Sequence, residues 1–197
     1  MTKKESIAKL IRTLSIPPVL VTAMLCILAT VKPSYFHSPA EILTCILLLG
    51  IVPVLAYPLQ KILPGLKEMG REGQRNLAFL LNLIGYAAAF LWALLEKASD
   101  ELLLICSTYA LSVVLLTICN KALHFRASGH ACSFTGPLLL LVYFLGWKMA
   151  VPCVLVAALV IWSSLVLKRH TKQELTGGIL VCAVSFLLSL ALVSILR

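Results

Sequence analysis

Carboxylates are scarce in this chain of 197 residues: it holds seven Glu and a single Asp, Asp100. Charged side chains of both signs make up only 13% of it, against 60% hydrophobic. A soluble domain is about a quarter charged. Too few polar side chains remain to cover a water-exposed surface. That excludes a soluble enzyme, a disordered chain and a free nucleic-acid-binding module. The carboxylate shortage also speaks against a site for hard divalent metals, which want several oxygen ligands. No CxxC or CxxH spacing occurs. The seven cysteines (26, 45, 106, 119, 132, 153 and 182) fall within or at the edge of apolar stretches and read as small buried hydrophobes. Heptads, low-complexity tracts and repeats of 20–50 residues are missing too.

What the chain does have is long apolar runs, with a mean hydropathy of +1.00. Seven of them are long enough, or nearly so, to cross a bilayer: about 14–31, 41–59, 77–95, 102–119, 131–147, 149–167 and 175–196. They predict an all-α polytopic membrane bundle of six or seven spans, with residues 1–197 as one integral membrane domain. The fifth run is short, and the turn Gly146-Trp147-Lys148 allows a re-entrant hairpin in its place. Residues 1–13 are basic and amphipathic and end before Pro17-Pro18, so they read as an interfacial helix. The interiors of the runs contain no Asp, Glu, Lys, Arg or His, which argues against an ion-coupled transporter. Chemistry belongs on the loops, at a membrane surface.

Seventeen Lys and Arg face eight acids, a formal net charge of +9. Alternating the runs across a membrane puts residues 1–13, 60–76, 120–130 and 168–174 on one side, with 13 of the cations. Lys32, Lys97, Lys148 and Arg197 fall on the other. The positive-inside rule makes the basic side cytoplasmic, in a bacterial or archaeal plasma membrane.

Three loops on that side share a character: KEMGREGQRN (67–76), NKALHFRASGH (120–130) and LKRHTKQE (167–174). Each alone reads as a solvated, topology-setting face. Together they combine cations, histidines and a Ser-Gly step, as a site for a multiply charged anion does. Backbone N–H groups at a helix start would add to it. His37 lies on the opposite side and reads as a loop residue.

Ser128-Gly129-His130 ahead of an apolar run resembles the central motif of the type 2 phosphatidic acid phosphatase superfamily, membrane relatives of the vanadium haloperoxidases. Lys168-Arg169-His170-Thr171, then Glu174, Gly177 and Gly178, resembles the third motif. Lys67 and Arg75 resemble the first, with Arg71 as another candidate for the Lys role. The resemblance covers about residues 55–185. The departures are specific. Asn76 stands where the family usually has Pro, Ala127 where Pro is common, and Glu174 where Asp is usual. Ser164 occupies the position of a third-motif Arg, leaving Arg169, Lys168, Arg126 or Lys121 to stand in for it. His124 has no family counterpart and reads as structural.

The resemblance implies a membrane lipid phosphatase acting on a phosphorylated lipid, an isoprenyl diphosphate or phosphatidate, without metal or other cofactor. His170 would be the nucleophile, Glu174 would orient it, and His130 would be the general acid and then the base. Lys67, Arg71, Arg75, Ser128, Gly129 and Arg169 would hold the phosphate. Its partners would be the lipid substrate and the bilayer, with no nucleic acid. Two other readings remain open. One, favoured by Ser164, is a non-catalytic lipid-phosphate binder or transporter with a degenerate pocket. The other is a membrane scaffold with basic loops.

Overall fold

The computed structural model describes residues 2–197, the Arg71 side chain excepted. The regular secondary structure of the described residues is all helical, with no strand among them. Helix α1 (Lys3–Leu14) starts at a capping box: Glu5 N–H donates to the Thr2 hydroxyl, and Thr2 N–H to the Glu5 carboxylate. The residue before a proline is driven out of helical geometry, and Ile16 is extended here. The chain therefore breaks and turns by 56° into α2 (Pro17–Val31).

Residues 39–62 form one long rod made of α3 (Pro39–Cys45), a π-helical stretch Ile46–Ile51, α4 (Val52–Val54) and α5 (Ala56–Ile62). The widened turn falls just before Pro53, which has no N–H to give the preceding turn. The short α6 (Pro64–Glu68) leads through Gly70, at φ +56°, into α7 (Gly70–Leu95). The remaining helices are α8 (Asp100–Thr117), extended by a π-turn to Ala122, then α9 (Gly129–Leu145), α10 (Ala150–Val166) and α11 (Lys172–Leu196).

Each apolar run read from the sequence thus has a helical counterpart. Five helices are long and apolar enough to cross a membrane, or six if the bent pair α1–α2 counts as one span. The fifth run is α9, a shorter apolar helix of 17 residues. At 1.5 Å per residue it extends about 26 Å, less than a typical hydrocarbon core.

Helix α8 runs through the middle of the bundle, packed against α7 and α11, and Leu102–Tyr109 are all buried. Lipid tails are as apolar as leucine, so close packing rather than water exclusion must hold such helices together. Small side chains line the contacts accordingly. Ser107 and Thr108 donate to the Leu104 carbonyl, and Ser185 to that of Val181, so these three buried hydroxyls have partners, while the buried Tyr86 and Tyr109 hydroxyls have none among the described residues. Five of the seven cysteines, 45, 106, 132, 153 and 182, are buried thiols in this packing; Cys119 is half-buried and Cys26 exposed.

The two ends of the bundle differ. At one, Arg197 pairs with Asp100 at 2.9 Å, the Ser99 hydroxyl donates to the Tyr35 carbonyl, and His37 pairs with Glu41 at 3.1 Å. His37 is therefore a loop residue, as expected. At the other end stand the C-terminus of α1 and the loops 120–130 and 167–174.

Candidate functional site

Loops 120–130 and 167–174 are stitched together at their backbones. Ser128 N–H donates to the Glu174 carbonyl at 2.8 Å. This approach needs the two glycines in the second turn of α11. A Cβ on Gly178 would meet the Ser128 carbonyl oxygen at 2.3 Å, and one on Gly177 would meet the Phe125 ring at 2.3 Å. Two helix N-termini are thereby held side by side, that of α9 beginning Gly129-His130 and that of α11 following His170.

Thr171 caps α11 through a second capping box with Glu174. The same carboxylate accepts from His170 Nδ1 at 2.8 Å and pairs with Arg126 Nε at 3.4 Å. Burial pulls the Glu174 carboxyl upward, but the His170 bond, the Thr171 N–H and the Arg126 charge outweigh it, and it titrates below its usual range. An ionised carboxylate only accepts, so Nδ1 of His170 carries the proton. Its Nε2 is left with a lone pair. Burial lowers the His170 pKa, Arg12 and Arg126 lower it further, and Glu174 opposes them without reversing the direction.

His130 stands on the facing wall. Burial first, then the Arg12 guanidinium and His170, push its imidazole down to about 3. Its Nε2 lies 3.3 Å from the Ser15 hydroxyl, which donates to the Arg12 carbonyl at 3.2 Å. With that proton committed, Ser15 accepts from His130 Nε2–H.

His130, His170, Arg75, Arg169 and Gly129 all line one cavity of about 420 Å³. Arg12 and Arg126 join them, giving four guanidiniums around a single space. Among the described residues no carboxylate lines it. The cavity continues inward between Phe79, Tyr86, Tyr109, Val113 and Leu116. One end is cationic and the inner walls are largely apolar and aromatic, a shape suited to an amphiphile with an anionic head.

Three expected ligands stand differently. Lys67 is exposed on α6 and does not line the cavity, because α6 and the turn at Gly70 set it before the start of α7. The Arg71 side chain lies outside the described residues. Ser128 is buried, and its hydroxyl accepts from Ala131 N–H at 3.2 Å as the N-cap of α9. It holds the helix start in place and does not line the cavity; the Gly129 step does. His124, with φ +51°, borders a neighbouring hollow shared with Lys121, Arg75 and Arg126.

The residue that sequence reasoning missed is Arg12. Its Nη1 donates to the fully buried Ser164 hydroxyl at 3.0 Å, across 152 positions of chain. Its place in a basic N-terminal segment marked it as a topology signal, and no local spacing ties it to residue 164. Comparison with protein-family models, curated proteins and solved structures finds no match to this chain.

Proposed function

We propose that the chain is a membrane lipid phosphatase that hydrolyses a lipid phosphomonoester or diphosphate through a phosphohistidine. The observation that carries this reading is His170, bound at Nδ1 by Glu174 at 2.8 Å, sharing one arginine-lined cavity with His130. A neutral imidazole with its Nδ1 proton held by a carboxylate presents its Nε2 lone pair, the form that attacks phosphorus. As the Nε2–P bond forms, the bond from phosphorus to the leaving oxygen breaks. Positive charge develops on His170 and is met by Glu174. His130 then gives its proton to the departing lipid alkoxide or phosphate, and takes one from the water that cleaves the N–P bond. Arg75, Arg126, Arg169 and Gly129 N–H surround the equatorial oxygens, so the positive charge for the transition state is built into the walls.

The lowered pKa of His130 fits the scheme once substrate is counted. Burial first and then the nearby cations keep the ring neutral, and a phosphate dianion beside it offsets the cations and favours the protonated form needed for the first step. The substrate's tail would run along the inner walls or out into the bilayer. By the basic-residue count the site faces the cytoplasm of a bacterial or archaeal cell.

A second reading, a lipid-phosphate binder that has lost turnover, is favoured by Ser164, which puts a hydroxyl where the phosphatases it resembles have an Arg. Full-length protein in detergent, given phosphatidate or an isoprenyl diphosphate, decides between them. Steady phosphate release and an acid-labile, base-stable phosphoenzyme are expected of the enzyme. Saturable orthovanadate binding with no release would favour the binder, and neither would end both.

A further inference from the structure

Resting on the phosphatase reading, we infer that Tyr86, Tyr109 and Asn82 form an uncharged subsite in the inner part of the cavity, which hydrogen-bonds a neutral oxygen of the lipid, an ester carbonyl or a hydroxyl, a few bonds below its phosphate. The first argument is the state of three polar atoms. Among the described residues, the buried Tyr86 and Tyr109 hydroxyls and Asn82 Oδ1 have no hydrogen-bond partner. The two tyrosines are only 4% and 3% exposed, and all three residues line the cavity. Other buried hydroxyls are satisfied on their own helices, as Thr108 is by the Leu104 carbonyl at 2.7 Å. A tyrosine hydroxyl stands at the far end of its ring, out of reach of such carbonyls. Ser133 stands beside Tyr86 but outside hydrogen-bond geometry, and its own proton goes to the Gly129 carbonyl at 2.8 Å. An unpaired buried hydroxyl costs free energy that phenylalanine, with the same ring, avoids.

The second argument is where these atoms sit. Asn82 and Tyr86 are four residues apart on α7 and share a face. The Tyr86 ring meets that of Tyr109, on α8, edge to face with centroids 5.2 Å apart. Gly136 of α9 completes the wall: a methyl group there would lie 3.4 Å from the Tyr109 hydroxyl. With no side chain at 136, that hydroxyl stays open to the cavity. Gly136 lies seven residues beyond Gly129, two turns along the same face of α9 and a rise of about 10 Å. Gly129, His130 and His170 line the cationic end. A phosphate held there brings the first linker atoms of its lipid, and not the end of its tail, to the level of the tyrosines.

The third argument is chemical matching. Asn82 Nδ2 donates to the Ala78 carbonyl at 2.7 Å, which leaves Oδ1 as an acceptor. The subsite therefore offers two O–H donors and one acceptor. An ester carbonyl takes the donors. A hydroxyl accepts from a tyrosine and gives its proton to Asn82. A plain hydrocarbon chain leaves all three atoms unpaired, and a site built to hydrogen-bond an oxygen discriminates against the analogue that lacks it.

Removing the hydroxyls one at a time tests the subsite. Full-length wild type, Tyr86→Phe and Tyr109→Phe are compared in detergent micelles on three phosphomonoesters. Phosphatidate carries carbonyls and no hydroxyl, a 1-O-alkylglycerol 3-phosphate carries a hydroxyl and no carbonyl, and dodecyl phosphate carries neither. The readout is kcat/KM, or Kd for the same lipids if the protein binds without turnover. In each variant the preference for an oxygenated lipid over dodecyl phosphate should fall about tenfold, the loss of one hydrogen bond. A fall confined to phosphatidate assigns the carbonyl, and one confined to the alkylglycerol phosphate assigns the hydroxyl. Thermal midpoints without lipid should hold or rise, because the hydroxyls have no partner in the protein to lose. An unchanged preference in both variants would overturn the inference while leaving the phosphatase reading intact. Lower midpoints with equal losses on all three lipids would make the hydroxyls structural, and would also overturn it. Wild type that neither turns over nor binds any of the three, and binds no orthovanadate, would remove the phosphatase reading itself, and this subsite with it.

Discussion

Ser128 N–H donates to the Glu174 carbonyl at 2.8 Å, and that bond fixes the distance between the two histidine-bearing loops. The loops are some 40 residues apart in sequence, separated by α9 and α10. Without this contact His130 and His170 would sit on independent turns. With it, the helix that begins at Gly129 and the helix capped by Thr171 start from one shared platform.

Gly178 is what lets the platform form. A methyl group there would meet the Ser128 carbonyl oxygen at 2.3 Å and Ala131 Cβ at 2.8 Å, and neither can swing aside. Gly178→Ala should therefore destabilise the protein by about 1–3 kcal/mol, the range for overpacking, and lower turnover by separating the histidines. Gly65 has nothing within 4 Å of its Cβ position, and Gly65→Ala should leave both properties unchanged. Thermal midpoints in detergent, read beside phosphate release, check the pair.

Arg75 lines the cavity while Lys67 stays exposed on α6 outside it. Arg75→Ala should lower kcat/KM on the order of 100-fold, as loss of one transition-state contact does. Lys67→Ala should stay within about twofold, since an exposed surface charge contributes little. Equal losses in the two would show that α6 moves Lys67 onto the substrate.

The helices were legible because hydropathy is a local property: seven apolar runs became seven helical rods, α9 the short one. The His170–Glu174 pair was legible because residues four apart at a helix start meet. Ser128 was read as a phosphate ligand because a serine before a helix serves an anion or an N-cap equally well in sequence; here its hydroxyl caps. Lys67 was misplaced by the turn at Gly70, whose φ of +56° no run of polar residues announces. The contact from Arg12 to Ser164 joins the first helix to the tenth, and only the packing of α1 on α10 creates it. Local spacing finds partners along one helix and misses partners on two.

The two histidines should take up protons when an anion binds. Both pKa values are lowered in the free protein, with burial the leading cause and nearby cations adding to it. At pH 7 both rings are then neutral. A bound dianion cancels part of the cationic field, raises both values and favours protonation. Sulfate stays a dianion from pH 5 to 8, so its affinity should rise as pH falls through that window. Imidazole resonances followed by NMR with and without sulfate measure this. Affinity that falls with acidity would mean the anion sits away from the histidines.

The same loops predict sidedness. By the positive-inside count the cavity end is cytoplasmic and the end holding Lys32, Lys97 and Arg197 faces out. A cysteine at exposed Ser34 should react with an impermeant maleimide from outside intact cells. Reaction only after lysis would invert the orientation and put the cavity on the outer surface.

The histidines should separate by role when the leaving group is varied. In the proposed reaction His170 makes the bond to phosphorus, so His170→Ala should abolish turnover of every substrate and all phosphoenzyme. His130 is needed chiefly where the departing oxygen is a strong base, such as a lipid alkoxide. His130→Asn should lose turnover of phosphatidate yet still phosphorylate His170 from an aryl phosphate with a good leaving group. The companion His130→Gln, whose longer amide can donate to Ser15 in place of Nε2, shows whether the loss reports proton transfer rather than the contact at 3.3 Å. Glu174→Gln should fall between the two, because it weakens the hold on Nδ1 and the charge facing it while leaving the nucleophile in place. Alkaline-quench trapping with radiolabelled substrate, which preserves an N–P bond, resolves the three variants. Phosphoenzyme persisting in His170→Ala would move the nucleophile elsewhere. Loss of aryl-phosphate labelling in His130→Asn would mean that His130 also shapes the phosphate pocket, with its role no longer confined to the leaving group.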